Sequence, residues 1–317
     1  MQSMTQWRAI LVPDGGQRAC CADYFRSEPY LKAEGVTHSL IVEDGEGRAL
    51  RVPLIVRPIE GTPYRDAVSP YGFPGAELNG MSEVPPDAID WRGMELVSIF
   101  VRDRIGGPCC FSGGRLRTDV CLIDSTQPVR FRDDHAADIR RNTRLGYVST
   151  YVPVKESTEE QREALKALYR RTLARDRADA RYDFTDAWFE EVFTCGFAWL
   201  VTTRAPDGAI ASSALAVLSD GLLHHFIGGT ADAYLKHSPE KNEYPVLVEL
   251  SAKLEAPMHL GGGLRPGDRL EQFKRGFANR MSSFYTHDLI CDPDVYAELS
   301  RGHEATDYFP AYRAPRS

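Results

Sequence analysis

Most of the side chains able to do chemistry fall between residues 170 and 280. His224-His225 sit in a strand-like run, so their side chains face opposite ways and at most one enters a cleft. An imidazole there suits proton transfer near neutral pH, and His225 is the candidate; the bland alternative is a structural histidine, the reading given to His259. Gly261-Gly262-Gly263 follow a strand and precede a helix, which allows close backbone approach. A phosphate cradle is a rival reading, but Walker spacing is absent and no Lys-Ser/Thr pair follows. The preferred account is a turn that sets up the next helix, which carries Phe273-Lys274. Taken alone, that pair reads as a core Phe beside a solvent-facing Lys. Arg175 offers a guanidinium to phosphate or carboxylate oxygens, in competition with ion pairing in the charged stretch 175–181.

Composition bounds what these groups can serve. The chain has 317 residues, long enough for two domains, with 43% hydrophobic and 26% charged residues, as in a folded globular protein. No apolar run approaches the ~20 residues of a membrane span, and the N-terminus lacks a signal-peptide core, so a cytoplasmic protein is expected. A net charge of −7 argues against a protein that coats nucleic acid, but leaves room for a local basic stripe. Arg140, Arg141, Arg144, Arg162, Lys166 and Arg170 form a candidate stripe, for which an ordinary solvated face is equally open because Glu159, Glu160 and Glu163 are interspersed. The seven cysteines include no C-x-x-C pair and no zinc spacing, so free thiols and no metal site are expected.

The elements that must position these residues follow from hydrophobic pattern. His38–Glu43 and Leu50–Val56 alternate around the turn 44–47 and predict a hairpin. Leu96–Val101 and Val120–Leu122 read as strands, and the Pro/Gly-rich loop 69–75 cannot be helical. Residues 134–146 predict a basic helix. Ser157 and Glu160 suggest a capping box opening a helix over Ser157–Arg175, with Leu165, Leu168, Tyr169 and Thr172 on its core face. A helix over Asp186–Thr194 and a strand over Phe197–Thr203 follow. Strands over Ala211–Leu218 and Leu222–Gly228, a helix over Pro245–Leu254, a strand over Met258–Leu260 and a helix from near Asp268 complete the pattern. That order describes the middle and end of an acyltransferase lobe.

Three stretches carry a resemblance in their expected order across roughly residues 65–290. The segment His259-Leu260-Gly261-Gly262-Gly263, then Leu270–Phe277, then Phe284-Tyr285, resembles the C-terminal signature of the Fem family. The loop Ser69-Pro70-Tyr71-Gly72-Phe73-Pro74-Gly75, and Leu168–Arg175 continuing to Tyr182-Asp183-Phe184, are similar to sequences among its relatives. The resemblance implies an α/β protein of two acyltransferase-like (GNAT-like) lobes in tandem, with mixed sheets flanked by helices. The expected lobes are residues 1–145, with 290–317 packed on them, and residues 146–289. It implies transfer of an amino acid from aminoacyl-tRNA to an amine, with no cofactor, no metal and no stable protein partner. Lys274 would stabilise the oxyanion of the tetrahedral intermediate and Phe273 would stack on the terminal adenosine. Arg175, Tyr182 and Tyr71 would recognise the acceptor with His225, and Arg140, Arg141, Arg144, Lys166 and Arg170 would touch tRNA.

Within that class, the compact length and the preference for Arg over Lys point to specialised metabolism; the resemblance implies a peptide or peptidyl-nucleoside acceptor and alanine as the donated residue, with serine and glycine as competitors. A peptidoglycan-precursor bridge enzyme is the alternative. A CoA-dependent N-acyltransferase is the rival chemistry, but no Arg/Gln-x-x-Gly-x-Gly/Ala turn follows the strand at 222–228; Gly228-Gly229-Thr230-Ala231-Asp232 puts an acid where phosphate would sit. A non-catalytic binding protein on the same fold is the third reading.

Overall fold

A computed structural model describes residues 7–14, 23–81, 83–106, 110–263, 265, 267–303 and 306–314. Its strands in the first half are β1 (Trp7–Val12), β2 (His38–Glu43), β3 (Ala49–Pro58), β4 (Arg65–Val68), β5 (Glu77–Asn79), β6 (Ile89–Asp90), β7 (Ser98–Arg102) and β8 (Arg115–Ile123). Then come β9 (Val148–Pro153), β10 (Ala198–Arg204), β11 (Ile210–Ser219), β12 (Leu222–Thr230), β13 (Met258–Gly261) and β14 (Arg280–Ile290). The helices are α1 (Glu28–Ala33), α2 (Asp133–Leu145), α3 (Glu159–Asp176), α4 (Asp186–Val192), α5 (Glu243–Lys253), α6 (Arg269–Arg275) and α7 (Pro293–Leu299). The chain is thus mixed α/β, and it divides into two compact units.

The first unit holds β1, the chain over Glu34–Arg117 and the chain from Ser283 onward. Its strands run β6-β1-β2-β3-β4-β7-β14, with β5 paired to β3. The hairpin expected at 44–47 is present: β2 and β3 pair antiparallel from His38/Leu54 to Glu43/Ala49. Asp44 Oδ1 closes the turn by accepting from the Glu46 and Arg48 amides at 2.9 and 3.1 Å, the side-chain mimicry that suits Asp to turns. Alternate residues of these strands, Leu40, Val42, Leu50, Val52, Leu54, Ile99 and Val101, are buried in one core.

The second unit holds residues up to Ala33 from the first described segment after β1, and Thr118–Ser282. Its strands run β8-β13-β12-β11-β10-β9, all antiparallel neighbours except the parallel pair β12/β13. The α5 helix packs on a core of Val201, Ala214, Ala216, Leu223 and Met258. A bulge interrupts the register at Phe226, between Leu215/Ile227 and Ala216/His225. Its ring packs against Tyr24, Phe25 and Tyr30.

The α3 helix shows why a capping signal must be read by geometry. The box is made one residue later than the sequence suggests, by Thr158 and Gln161: Thr158 Oγ1 accepts from the Gln161 amide at 3.3 Å, and Gln161 Oε1 accepts from the Thr158 amide at 3.0 Å. Ser157 instead donates its hydroxyl to Val154 O at 2.6 Å, closing the preceding turn. Leu165, Leu168 and Tyr169 are buried as their spacing requires. Arg162, Lys166 and Arg170 lie along α4: the first two sit 5.5 and 5.6 Å from the Phe193 ring centre, and Arg170 sits 5.8 Å from that of Phe189. This positive edge is therefore largely a helix-packing surface.

Candidate functional site

Lys274 is set by the way α6 begins. Asp268 caps the helix, accepting from the Glu271 amide at 2.8 Å, and its other oxygen takes the Arg265 amide at 2.9 Å. Six residues after the cap, the half-buried Lys274 turns inward and its Nζ donates to Gly262 O at 2.8 Å. The three glycines make this approach possible. A Cβ at Gly261, where φ is +78°, would lie 2.9 Å from Nζ; at Gly262 it would strike Asp119 O, and at Gly263 the Asp268 carboxylate. Desolvation of the ammonium lowers the Lys274 pKa to about 8, against opposing pulls from Cys121 and Asp268. Most of these lysines still carry their charge at pH 7.

Phe273 points into a cluster of rings. Its centroid is 5.1 Å from His135, 5.3 Å from Phe277 and 6.1 Å from Tyr244. Its carbonyl is 3.1 Å from His135 Nε2. Beneath it runs a column of stacked rings: His135 on Phe277 at 4.3 Å, Phe277 on Tyr244 at 3.7 Å, and Tyr244 on His225 at 5.6 Å. The column links the segment after Lys274 to the strand that carries His225.

His225 Nε2 lies 3.3 Å from Glu243 Oε2, and the other Glu243 oxygen accepts from Ser212 Oγ at 2.6 Å. The carboxylate is buried, whereas the imidazole keeps about a fifth of its surface, 21%, open. An Nε2–H held by Glu243 leaves the Nδ1 lone pair free to take a proton. Glu240, close by, has its pKa raised by burial first and by the Glu243 charge among the lesser causes. His224 faces the other way, against Phe25 and His259, as strand alternation predicts.

The remaining residues marked by the sequence are placed as follows. Arg175, in the last turn of α3, binds Asp232 at 2.8 Å and Thr230 O at 3.3 Å, tying the helix to the end of β12. Tyr182 lends its carbonyl to Tyr169 Oη at 2.8 Å, and the Arg181 guanidinium covers its ring. A cleft of 640 Å³ is lined among others by Arg170, Arg177, Asp179, Asp183 and Phe184, and neither Arg175 nor Tyr182 is part of its lining. Tyr71 belongs to the first unit, where its amide donates to Glu34 Oε2 at 2.8 Å. Arg140 and Arg144 are exposed one turn apart on α2. Arg141 is held by Asp138 at 2.7 Å and His237 O at 3.1 Å. Lys166, 6% exposed, pairs with Glu163 at 2.9 Å and Glu190 at 2.6 Å, and Arg170 pairs with Asp186 at 2.9 Å. These five therefore do not form one open basic stripe.

Glu243, Ser212 and Tyr244 were not marked by the sequence. An acid in the first turn of a helix normally reads as a partner of the helix dipole. The only hint of an inward role was a polar Ser212-Ser213 pair inside an apolar strand, which the structure buries.

With this geometry in hand, solved structures can be compared. FemX superposes with a TM-score of 0.58 at 12% identity, over 85% of this chain and 92% of that one. The chain has the FemX fold. The C-terminal domain of an Agrobacterium fabrum protein described as a lysylphosphatidylglycerol synthetase gives 0.52 at 12% identity, over 86% and 89%. L-PGS from Bacillus licheniformis gives 0.50 at 10%, over 84% and 92%. No protein-family profile matches the chain, and no curated protein matches it. At such identities the likeness concerns fold, and function has to be argued from the site. Among the described residues, no helix is long and apolar enough to cross a membrane.

Proposed function

We propose that the chain is an aminoacyltransferase that carries an amino acid, alanine in the first instance, from aminoacyl-tRNA to the amine of a peptide or peptidyl-nucleoside acceptor. The observation that carries this reading is the half-buried Lys274 ammonium, which gives a hydrogen bond to Gly262 and has its pKa lowered to about 8. One of its three N–H groups serves Gly262, and two are left for a ligand. The FemX fold and the ordered sequence motifs around Lys274 support the choice of donor.

In this proposal, a neutral acceptor amine attacks the ester carbonyl, and the carbonyl oxygen becomes an oxyanion. Lys274 donates to that oxygen; such a donor in a water-poor site contributes about 3–4 kcal/mol of transition-state stabilisation. His225 Nδ1 takes the proton from the attacking nitrogen. The resulting imidazolium, steadied by Glu243, returns the proton to the departing ribose oxygen as the intermediate collapses to the amide. Phe273 contributes by holding α6 on the ring column, so that Lys274 keeps its aim. Arg140 and Arg144 are the open charges on α2 offered to the acceptor stem, and the cleft lined by Arg170, Arg177, Asp179 and Asp183 is offered to the acceptor.

The test is amide formation from charged tRNA pools or acyl-CoA with a panel of amine acceptors, with and without ribonuclease. The expected result is product that needs charged tRNA and disappears on ribonuclease treatment. Product that survives ribonuclease and requires CoA would overturn the proposed donor.

A further inference from the structure

The first unit contains a cluster that the proposed reaction does not use. Asp103 directly follows β7, Cys110 lies in the loop that leaves it, and His287 sits on β14, opposite Val101 in the register of the β7/β14 pair. All three are at most 2% exposed. His287 Nε2 lies 3.1 Å from Asp103 Oδ2, and Cys110 Sγ lies 3.3 Å from Asp103 Oδ1. One donor atom from each residue falls within 4.8 Å of the other two.

From these contacts we infer a binding site for a zinc-class divalent transition metal, built from Asp103, Cys110 and His287. The donor set is one thiolate, one imidazole and one carboxylate, the ligand types that select zinc over calcium or magnesium. A tetrahedral zinc ion requires N···O and S···O edges of about 3.4 and 3.6 Å, from bond lengths of ~2.0–2.3 Å. The two existing contacts run to different oxygens of Asp103, so a turn of the carboxylate has to bring one oxygen within reach of both Nε2 and Sγ.

The surroundings are those of an oriented ligand set. The Arg104 amide donates to Asp103 Oδ1 at 2.8 Å, so the carboxylate is also held from outside the cluster. The Phe111 ring covers the imidazole at 5.4 Å. Gly114 passes so close that a Cβ there would lie 2.8 Å from His287 Cε1. Binding displaces the thiol proton to solvent and leaves the imidazole proton on Nδ1, which puts the Nε2 lone pair on the metal. A fourth position stays open to an exogenous ligand. The ion clips the loop after β7 to β14, which are otherwise joined there by hydrogen bonds.

Linear spacing could not announce this site, because its histidine is more than 170 residues from the other two ligands. The experiment uses the full chain, stripped with chelator and titrated with Zn²⁺ alone, then with Co²⁺ as a spectroscopic substitute. One equivalent should bind, the thermal midpoint should rise, and Co²⁺ should give tetrahedral d–d bands with a thiolate charge-transfer band. Cys110→Ser and His287→Gln should lose that signature, while Cys291→Ser keeps it. A buried-ligand variant can fail to fold, so the unmodified chain also decides. Absence of a one-equivalent, thiolate-bound cobalt spectrum overturns the site, as does a spectrum unchanged in folded Cys110→Ser.

Discussion

The Lys274 ammonium and the Gly262 carbonyl are joined by a 2.8 Å hydrogen bond, so the candidate cation is held by the glycine turn at the end of β13. That bond depends on Gly261, where φ is +78° and a Cβ would lie 2.9 Å from Nζ. Gly261→Ala should therefore lose about 1–3 kcal/mol of stability from backbone strain and also displace Lys274. Gly267→Ala is the control: its φ is +75°, but open space surrounds the missing Cβ. Denaturant midpoints should fall for both, and turnover should fall well beyond the control for Gly261→Ala alone.

Removing the lysine should trade stability against rate. Lys274 has a folded pKa of about 8, below its ordinary 10.5. Between those values the unfolded chain holds a proton that the fold does not, so stability climbs as pH rises through the window. Below pH 8 the fold bears the full cost of the buried charge, up to about 3 kcal/mol. Lys274→Met should be more stable than the parent at pH 7, with the advantage shrinking from pH 8 to pH 10.5. Its turnover should fall by about 10²–10³. In the parent, the rate should decline as pH rises through about 8, because the neutral amine no longer meets the oxyanion as a cation. Unchanged turnover in the folded variant would remove Lys274 from the mechanism.

The parts legible in the sequence are those fixed by local pattern. The β2/β3 hairpin and the buried face of α3 follow from alternation and helical spacing, and both are present. The opposite orientation of His224 and His225 follows from the strand period in the same way. What one-dimensional spacing could not show was which charge meets which. Arg162, Lys166 and Arg170 look like an open stripe at i, i+4, i+8, yet α4 returns to bring Phe189, Phe193 and Glu190 against them. Glu243 gave no signal because a first-turn acid is ordinary until the fold places Ser212 and His225 at its two oxygens.

The His225–Glu243 pair predicts a graded loss. His225→Gln should cost about 10²–10⁴ in turnover if the imidazole moves the proton. Glu243→Gln keeps the shape but replaces the charge that steadies the imidazolium, so it should cost less and act on kcat rather than KM. Ser212→Ala removes the other hydrogen bond to Glu243 and should cost least of the three. Equal loss in all three variants would assign the trio to packing alone.

On the opposite face of β12, His224 and His259 meet with their Nδ1 atoms 3.0 Å apart, and His224 Nε2 lies 3.3 Å from Ser219 O. The Ser219 carbonyl requires the proton on Nε2 of His224, so His259 donates from Nδ1. Burial lowers the His224 pKa to about 4; it also drives His259 well below its usual range, helped by His224 and Lys274. The unfolded chain protonates near pH 6.5 while the folded pair does not. Stability from this pair is thus intact above pH 6.5 and is lost as pH falls toward 4 and below. The urea midpoint of the parent should drop steadily through that window. In a His224→Phe/His259→Leu double variant the drop should be visibly shallower, because the groups that take up protons on unfolding are gone. A parallel pH dependence in the two proteins would assign the acid limb to other groups.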